Sequence, residues 1–173
     1  MIGLAPGHRL LEIGSGWGSF AVLAAREFGA RVRSITVSRE QHDYAARRVH
    51  ELGLADRVAI ELRDYRDVDG RYDRIASIEM FEAVGERWWP VFFGQLRAAL
   101  APGGRAGLQI ITIADQHFAA YRKGADFIQR YIFPGGMLPS PSVLAEHLGR
   151  AGLALEDQVA FGASYARTLG IWH

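Results

Sequence analysis

The 173-residue chain has the length of one domain, and 49% hydrophobic against 23% charged residues is the balance of an ordinary globular core. Twenty Lys and Arg against 19 Asp and Glu leave no net field to gather nucleic acid, and the absence of cysteine excludes disulfides and thiolate metal sites. No apolar run reaches the ~18 residues of a membrane span and no signal-peptide pattern opens the chain, so the expected location is cytoplasmic.

In chain order, apolar runs alternate with amphipathic helical patterns, which predicts a doubly wound α/β domain over 1–173 with a mostly parallel sheet. Leu10–Ile13 is the first strand. Gly14-Ser15-Gly16-Trp17-Gly18 turns the chain, and Phe20–Phe28 is a helix closed by Gly29. Val32–Val37, rich in β-branched residues, is the second strand. Ser38 followed by Gln41 matches a capping box for a helix with Tyr44, Ala45, Val49 and Leu52 on one face and Gly53 at its end.

Val58–Leu62 and Arg71–Ile78 are the third and fourth strands. Glu86 to Leu100 reads as a helix with Pro90 in its first turn and Phe92, Phe93, Leu96 and Leu100 as its apolar stripe. Pro102-Gly103-Gly104 is a turn before a fifth strand, Ala106 to Ile113. Asp115 is an N-cap for a helix running towards Ile132. Three prolines make Pro134 to Pro141 an irregular loop. Val143–Ala151 is a helix, Leu153–Ala160 a sixth, edge strand, and Ile171-Trp172-His173 stand in a helical run.

Open α/β sheets bind ligands beyond the C-terminal strand ends, at the topological switch point. That rule gathers residues 14–18, 36–41, 64–65 and 79–82, with 109–111 close by. The closely spaced glycines let the backbone take positive φ and lie against a ligand, and the following helix N-terminus offers free N–H groups. A dinucleotide reader needs its third glycine one place later and an acid after the second strand. Thr36-Val37-Ser38 supplies none, which argues against a nicotinamide oxidoreductase.

The six histidines show no His-x-x-x-His spacing, so no metal site is expected. Taken alone, Glu82 is also a solvated acid near a helix start, Gln109 an amide satisfying a neighbouring backbone group, and Tyr165 a core tyrosine. Trp88 and Trp89 read as packing, and Arg47-Arg48 as a solvated helix face.

Glu12-Ile13-Gly14-Ser15-Gly16-Trp17-Gly18 resembles the first motif of class I S-adenosylmethionine methyltransferases, whose cofactor carries no phosphate. Asp64 to Asp67, Ser77 to Gly85, Tyr131 to Ser140 and Ser164 to Trp172 are similar to the cyclopropane-fatty-acyl-phospholipid synthase and mycolic acid cyclopropane synthase family. The Phe-Pro-Gly-Gly-Met-Leu-Pro-Ser loop is the most specific of these segments.

The resemblance implies transfer of a methyl group from S-adenosylmethionine to the cis double bond of a lipid acyl chain, then proton loss and ring closure. The substrate it implies is an unsaturated phospholipid or fatty acyl chain at a membrane surface, reached by peripheral contact. Alternatives are a methyl-branched or methylene product, and a non-catalytic cofactor-binding remnant. The cofactor residues it implies are Gly14, Ser15, Gly16, Thr36 and Gln41.

A bicarbonate base is implied at Glu82, Tyr165 and the Ile111 backbone, with Gln109 where the family has a histidine. Gln109 can donate to an anion but cannot carry a proton. A cationic intermediate asks for aromatic, water-poor walls, with Phe81, Tyr131, Phe133, Tyr165 and Trp172 as candidates. The resemblance also implies a segment before residue 1, and a last strand beyond Trp172 inserted between strands five and six. Without that strand, strand five keeps an unpaired edge.

Overall fold

The computed structural model describes residues 2–124, 127–132 and 134–172. Five parallel strands form one sheet in the order β3-β2-β1-β4-β5. They are β1 (Arg9–Ile13), β2 (Arg31–Thr36), β3 (Val58–Leu62), β4 (Tyr72–Ile78) and β5 (Leu100–Gln109). α1 (Ser19–Phe28) and α2 (Arg39–Glu51) connect the first three strands, and α3 (Trp89–Ala99) precedes β5. α4 (Asp115–Tyr121), α5 (Pro141–Arg150) and α6 (Gly162–Trp172) follow. The expected doubly wound α/β fold is therefore present.

Alternation along the strands divides the core into two layers. Leu10, Val32 and Val58 pack with Ala21, Val22, Ala25 and Val49 on the α1–α2 side. Leu11, Ile13, Ile35 and Ile75 pack on the other side against Phe81, Trp89, Phe92, Phe93 and Leu96, an aromatic cluster that α5 covers from outside. Pro90 occupies the first turn of α3, as its missing N–H requires. Glu86–Trp88 form a separate 3-10 turn before that helix.

Several expectations need correction. The fifth strand begins at Leu100, ends at Gln109 and runs through Pro102-Gly103-Gly104 rather than after it. Its register against β4 jumps between the Tyr72–Leu100 and Arg74–Arg105 pairs, so the expected turn is an irregularity within the ladder. Gly103 at φ +72° supplies the bend. The helix from Asp115 stops at Tyr121, and a π turn at Ile128–Ile132 follows further on. Asp115 is the first helical residue rather than the cap, and its carboxylate instead accepts from the Ser142 N–H at 3.1 Å, at the start of α5.

Leu153–Ala160 forms no strand, and among the described residues nothing pairs with the outer edge of β5. Val159 (71% exposed) and Leu155 (57%) accordingly stay unburied, where a strand would have packed its apolar alternation. On α2, Ala45 and Val49 are buried but Tyr44 and Leu52 are exposed. Half of the capping box forms. Ser38 Oγ accepts from the Gln41 N–H, while the Gln41 side chain turns to Thr36 instead of the Ser38 N–H.

Candidate active site

At the switch point β1 leads into α1 on one side of the sheet, while its neighbour β4 leads towards β5 on the other. The crevice between their C-terminal ends has two banks.

The first bank is the glycine loop. Gly14, Gly16 and Gly18 hold φ values of +97°, +49° and +78°, open to glycine and costly to other residues. The Gly14 and Ser15 N–H groups both donate to the Ile35 carbonyl at 3.0 Å, pinning the loop to the end of β2. A Cβ on Gly16 would meet no atom within 4 Å, so this part of the loop faces open space where a ligand can lie.

Beneath the loop sits Glu12, 3% exposed. Ser34 Oγ donates to its Oε2 at 2.5 Å and lies 2.7 Å from Ser15 Oγ, so one polar chain joins β1, β2 and the loop. Burial pushes the Glu12 carboxyl up to about 7, against the pull of the Ser34 hydrogen bond.

Thr36 Oγ1 donates to Gln41 Oε1 at 2.8 Å and accepts the Ser38 N–H at 3.1 Å. This uses the Gln41 carbonyl and leaves its amide nitrogen as a free double donor among the described residues. Arg48 is not merely solvated: its Nη1 donates to the Trp17 carbonyl at 3.1 Å and to Ser19 Oγ at 2.8 Å, tying α2 to the loop. Trp17 stands edge-on to Tyr44 with ring centroids 5.4 Å apart.

The second bank is built from the ends of β4 and β5. Glu79, at φ +50°, is the one non-glycine residue with positive φ among the described residues. Its N–H donates to the Gln109 carbonyl at 2.9 Å, and Gln109 Nε2 donates to Glu79 Oε1 at 2.8 Å. A 3-10 turn at Phe81–Ala83 then carries Glu82. The Ile111 N–H donates to Glu82 Oε1 at 2.5 Å, while Glu82 Oε2 is buried and has no hydrogen-bond partner.

Burial raises the Glu82 carboxyl above the usual carboxylate range; the Ile111 N–H opposes this and the nearby charge of Glu79 adds to it. Such an acid holds its proton to a higher pH than a solvated one and keeps one buried oxygen unused. Behind it, the Met137 N–H donates to the Glu82 carbonyl at 2.9 Å, so the Pro-Gly-Gly loop supports the turn.

The banks meet at Gly14, where a Cβ would come within 3.1 Å of Met80 Cβ. The missing side chain lets the acidic segment close against the loop. Gly14, Ser15, Gly16, Thr36 and Gln41 thus lie on one bank, and Glu82, Gln109 and Ile111 on the other.

Tyr165 is not joined to them. It lies in α6, 38% exposed, and makes no hydrogen bond to Glu82, Gln109 or Ile111 among the described residues. Phe81 is no wall of a pocket: it is 1% exposed, with its ring centroid 5.4 Å from that of Trp89 and 5.0 Å from that of Phe92. Tyr131 is 69% exposed beside Phe127. Phe133 and the Trp172 side chain lie outside the described residues.

Trp89 is packing, as expected, but Trp88 is partly exposed and faces the Arg66 and Arg87 guanidinium groups. Sequence reasoning missed Ser34 as part of the site and gave no role to Glu12, quoted only within the loop motif, or to Glu79, gathered only by its place at the end of the fourth strand. The signal for Glu12 was present, as an acid at an inward position of a buried strand. The switch-point rule placed Glu79 at the crevice, but nothing in the sequence announced its positive backbone angle.

This strand order, with a glycine loop after β1 and polar groups at the ends of β2, β4 and β5, is the Rossmann-like fold of class I methyltransferases. The family described as mycolic acid cyclopropane synthetase matches residues 1–173. The chain is 44% identical over 171 residues to a tuberculostearic acid methyltransferase of Mycobacterium tuberculosis, covering 98% of this chain and 40% of that protein. It is 36% identical over 170 residues to the cyclopropane-fatty-acyl-phospholipid synthase of Escherichia coli, covering 98% and 42%.

A mycolic acid cyclopropane synthase solved with SAH and CTAB superposes with a TM-score of 0.89 at 29% identity, over 99% of this chain and 63% of that one. The chain belongs to the mycolic acid cyclopropane synthetase family. It spans about two fifths of the length of these curated relatives.

Proposed function

We propose that this chain is the cofactor-binding and acid-bearing part of an enzyme that transfers a one-carbon unit from S-adenosylmethionine to the cis double bond of a lipid acyl chain, closing a cyclopropane. The observation that carries the reading is Glu82, a half-buried acid with one unpartnered oxygen, set against the glycine loop at the switch point.

The residues present fit the cofactor. Gly14, Ser15 and Gly16 would hold it along the loop, where Gly16 faces open space, and Thr36 and Gln41 would hold it at the end of β2. When bound, its sulfonium supplies an electrophilic methyl group. Glu12 and Ser34 hold Ser15 and hence the loop, while Gly14 keeps the loop and the acid segment at contact distance, the positioning that in-line transfer to a weak alkene nucleophile requires.

Bicarbonate, as general base, would be held at Glu82 Oε2, with Gln109 and Tyr165 adding hydrogen bonds. Glu82 retains its proton for this task, because two adjacent anions in a dry pocket repel. Ile111 fits less simply: its N–H is already used by Glu82, so an anion there competes with that carboxyl. Tyr165 would reach the pocket only if α6 packs differently in the whole protein.

A second reading is a methyl-branched or methylene product. A methylene product loses a proton from the same cation as the ring does, and a methyl-branched one would in addition take a hydride from a separate reductant such as a reduced nicotinamide. What favours the reading is that a 44% identical relative is named a tuberculostearic acid methyltransferase. The substrate in either case would be an unsaturated phospholipid or fatty acyl chain at a membrane surface, approached peripherally from the cytoplasm. No helix among the described residues is long and apolar enough to cross a membrane.

Calorimetry with S-adenosylhomocysteine and NAD tests the cofactor assignment; binding of NAD alone, or of neither by folded protein, would refute it. Incubation of the protein, extended to the length of its relatives, with unsaturated phospholipid and labelled S-adenosylmethionine tests the reaction. Mass spectrometry detects the added carbon, and NMR distinguishes ring, methylene and methyl products. Cofactor binding without transfer would leave a remnant.

A further inference from the structure

Glu79 is the residue of the second bank that the functional reading leaves without a role, and its geometry is costly. A non-glycine residue at φ +50° is strained and persists only where its surroundings hold it. Here the hold is reciprocal. The Glu79 backbone donates to the Gln109 backbone at 2.9 Å, and the Gln109 side chain donates to the Glu79 side chain at 2.8 Å.

The pairing decides which way Gln109 points. A carboxylate accepts hydrogen bonds and repels a carbonyl oxygen, so an amide beside it must turn its nitrogen towards it. Were residue 79 neutral, both orientations of the Gln109 amide would be open. An extended backbone at residue 79 would also carry the carboxyl away from the end of β5.

We propose that Glu79 is the positioning residue of the acid pocket, fixing the Gln109 amide and holding a negative charge beside Glu82. The inference rests on reading Glu82 as the acid of the site. Its charge effect agrees in direction with the raised Glu82 carboxyl, where Glu79 adds to burial. The strained angle is then the means of turning the Glu79 carboxyl back towards the ends of β4 and β5.

The test needs no turnover and is made on the protein extended to the length of its relatives. Carbon-13 carboxyl NMR reads the Glu82 titration midpoint, and the Gln109 side-chain amide protons report their own exchange with water. Glu79→Gln removes the charge. Glu79→Gly removes the side chain and relaxes the backbone, and serves if the first variant folds poorly. Glu79→Asp keeps the charge in a residue that tolerates positive φ.

The expected result is a Glu82 midpoint shifted downwards in Glu79→Gln and Glu79→Gly but held up in Glu79→Asp. Gln109 amide exchange should quicken at least several-fold in Glu79→Gly. In the extended, active protein, the alkaline limb of the pH–rate profile should move to lower pH in Glu79→Gln. An unmoved Glu82 midpoint in both neutral variants, or unchanged Gln109 exchange in Glu79→Gly, overturns the proposal. Failure of the methyltransferase reading would appear separately, as loss of cofactor binding or transfer in the unmutated protein with the NMR results unchanged.

Discussion

The two banks of the crevice differ in how complete they are. On the glycine-loop bank the strong hydrogen-bonding groups beneath the ligand surface find protein partners: Glu12 has Ser34, Ser15 and Gly14 have the Ile35 carbonyl, and Arg48 ties the loop to α2. On the acid bank Glu82 keeps a buried oxygen without a partner, and Glu79 holds a strained backbone angle. A bank made of neighbouring strands and their crossover helix is assembled from local chain. A bank that takes its acid from one strand end, its N–H from another and its support from the Pro-Gly-Gly loop depends on distant segments meeting. Cofactor binding should therefore be the more robust property and chemistry the more fragile.

Gly16→Val gives the largest expected effect on the robust bank. It forces a β-branched residue to φ +49° and fills the open space above the loop. Calorimetry should show S-adenosylhomocysteine binding lost while circular dichroism stays native; retained affinity would place the ligand elsewhere.

Glu82→Gln probes the fragile bank. Turnover of the extended protein should fall roughly 10²-fold or more, the scale of one positioned acid–base group, with cofactor affinity nearly unchanged. Near-normal turnover in bicarbonate-replete buffer would return Glu82 to the role of an ordinary acid near a helix start.

Glu12→Gln tests the buried polar chain through pH. The folded carboxyl titrates near 7 against an ordinary 4.5, so its contribution to stability is fully present below about 4.5 and lost as the pH rises through 7. Over that window the unmutated protein should lose up to about 3 kcal/mol that the Gln variant does not lose. Parallel denaturation curves for the two proteins from pH 5 to 8 would contradict the burial argument.

A smaller effect is expected for Arg48→Ala, which removes two exposed hydrogen bonds to the loop, worth about 1 kcal/mol together. Trp17 fluorescence should report a looser loop, and cofactor affinity should weaken less than tenfold. Gln109→His should change least. An imidazole can still donate to Glu79, so binding and stability should hold, and turnover should be equal or higher.

Much of the first bank was legible in the sequence. The three glycines, the strands on either side and the Ser38 cap are local signals, and each acts within a few residues of where it is written. For the second bank, Glu82, Gln109 and Ile111 were legible through resemblance, but their contacts were not. The largest errors in secondary structure fall after residue 100, where pattern lost its hold. Leu153–Ala160 has the apolar content of a strand but pairs with no edge among the described residues, and Asp115 has the chemistry of a cap but bonds to Ser142 instead.

By itself the sequence determined the parallel α/β layering, because hydrophobic period and glycine placement act through the local backbone. It also determined the residue types that line the crevice. Only the tertiary structure decided that Phe81 belongs to the core while Glu82 keeps an unpartnered oxygen, though they are neighbours in one turn. The same packing made Glu12 a buried acid and set Glu79 at a positive φ against Gln109. These are consequences of which distant surfaces meet, and burial, strain and pairing exist only once they have met.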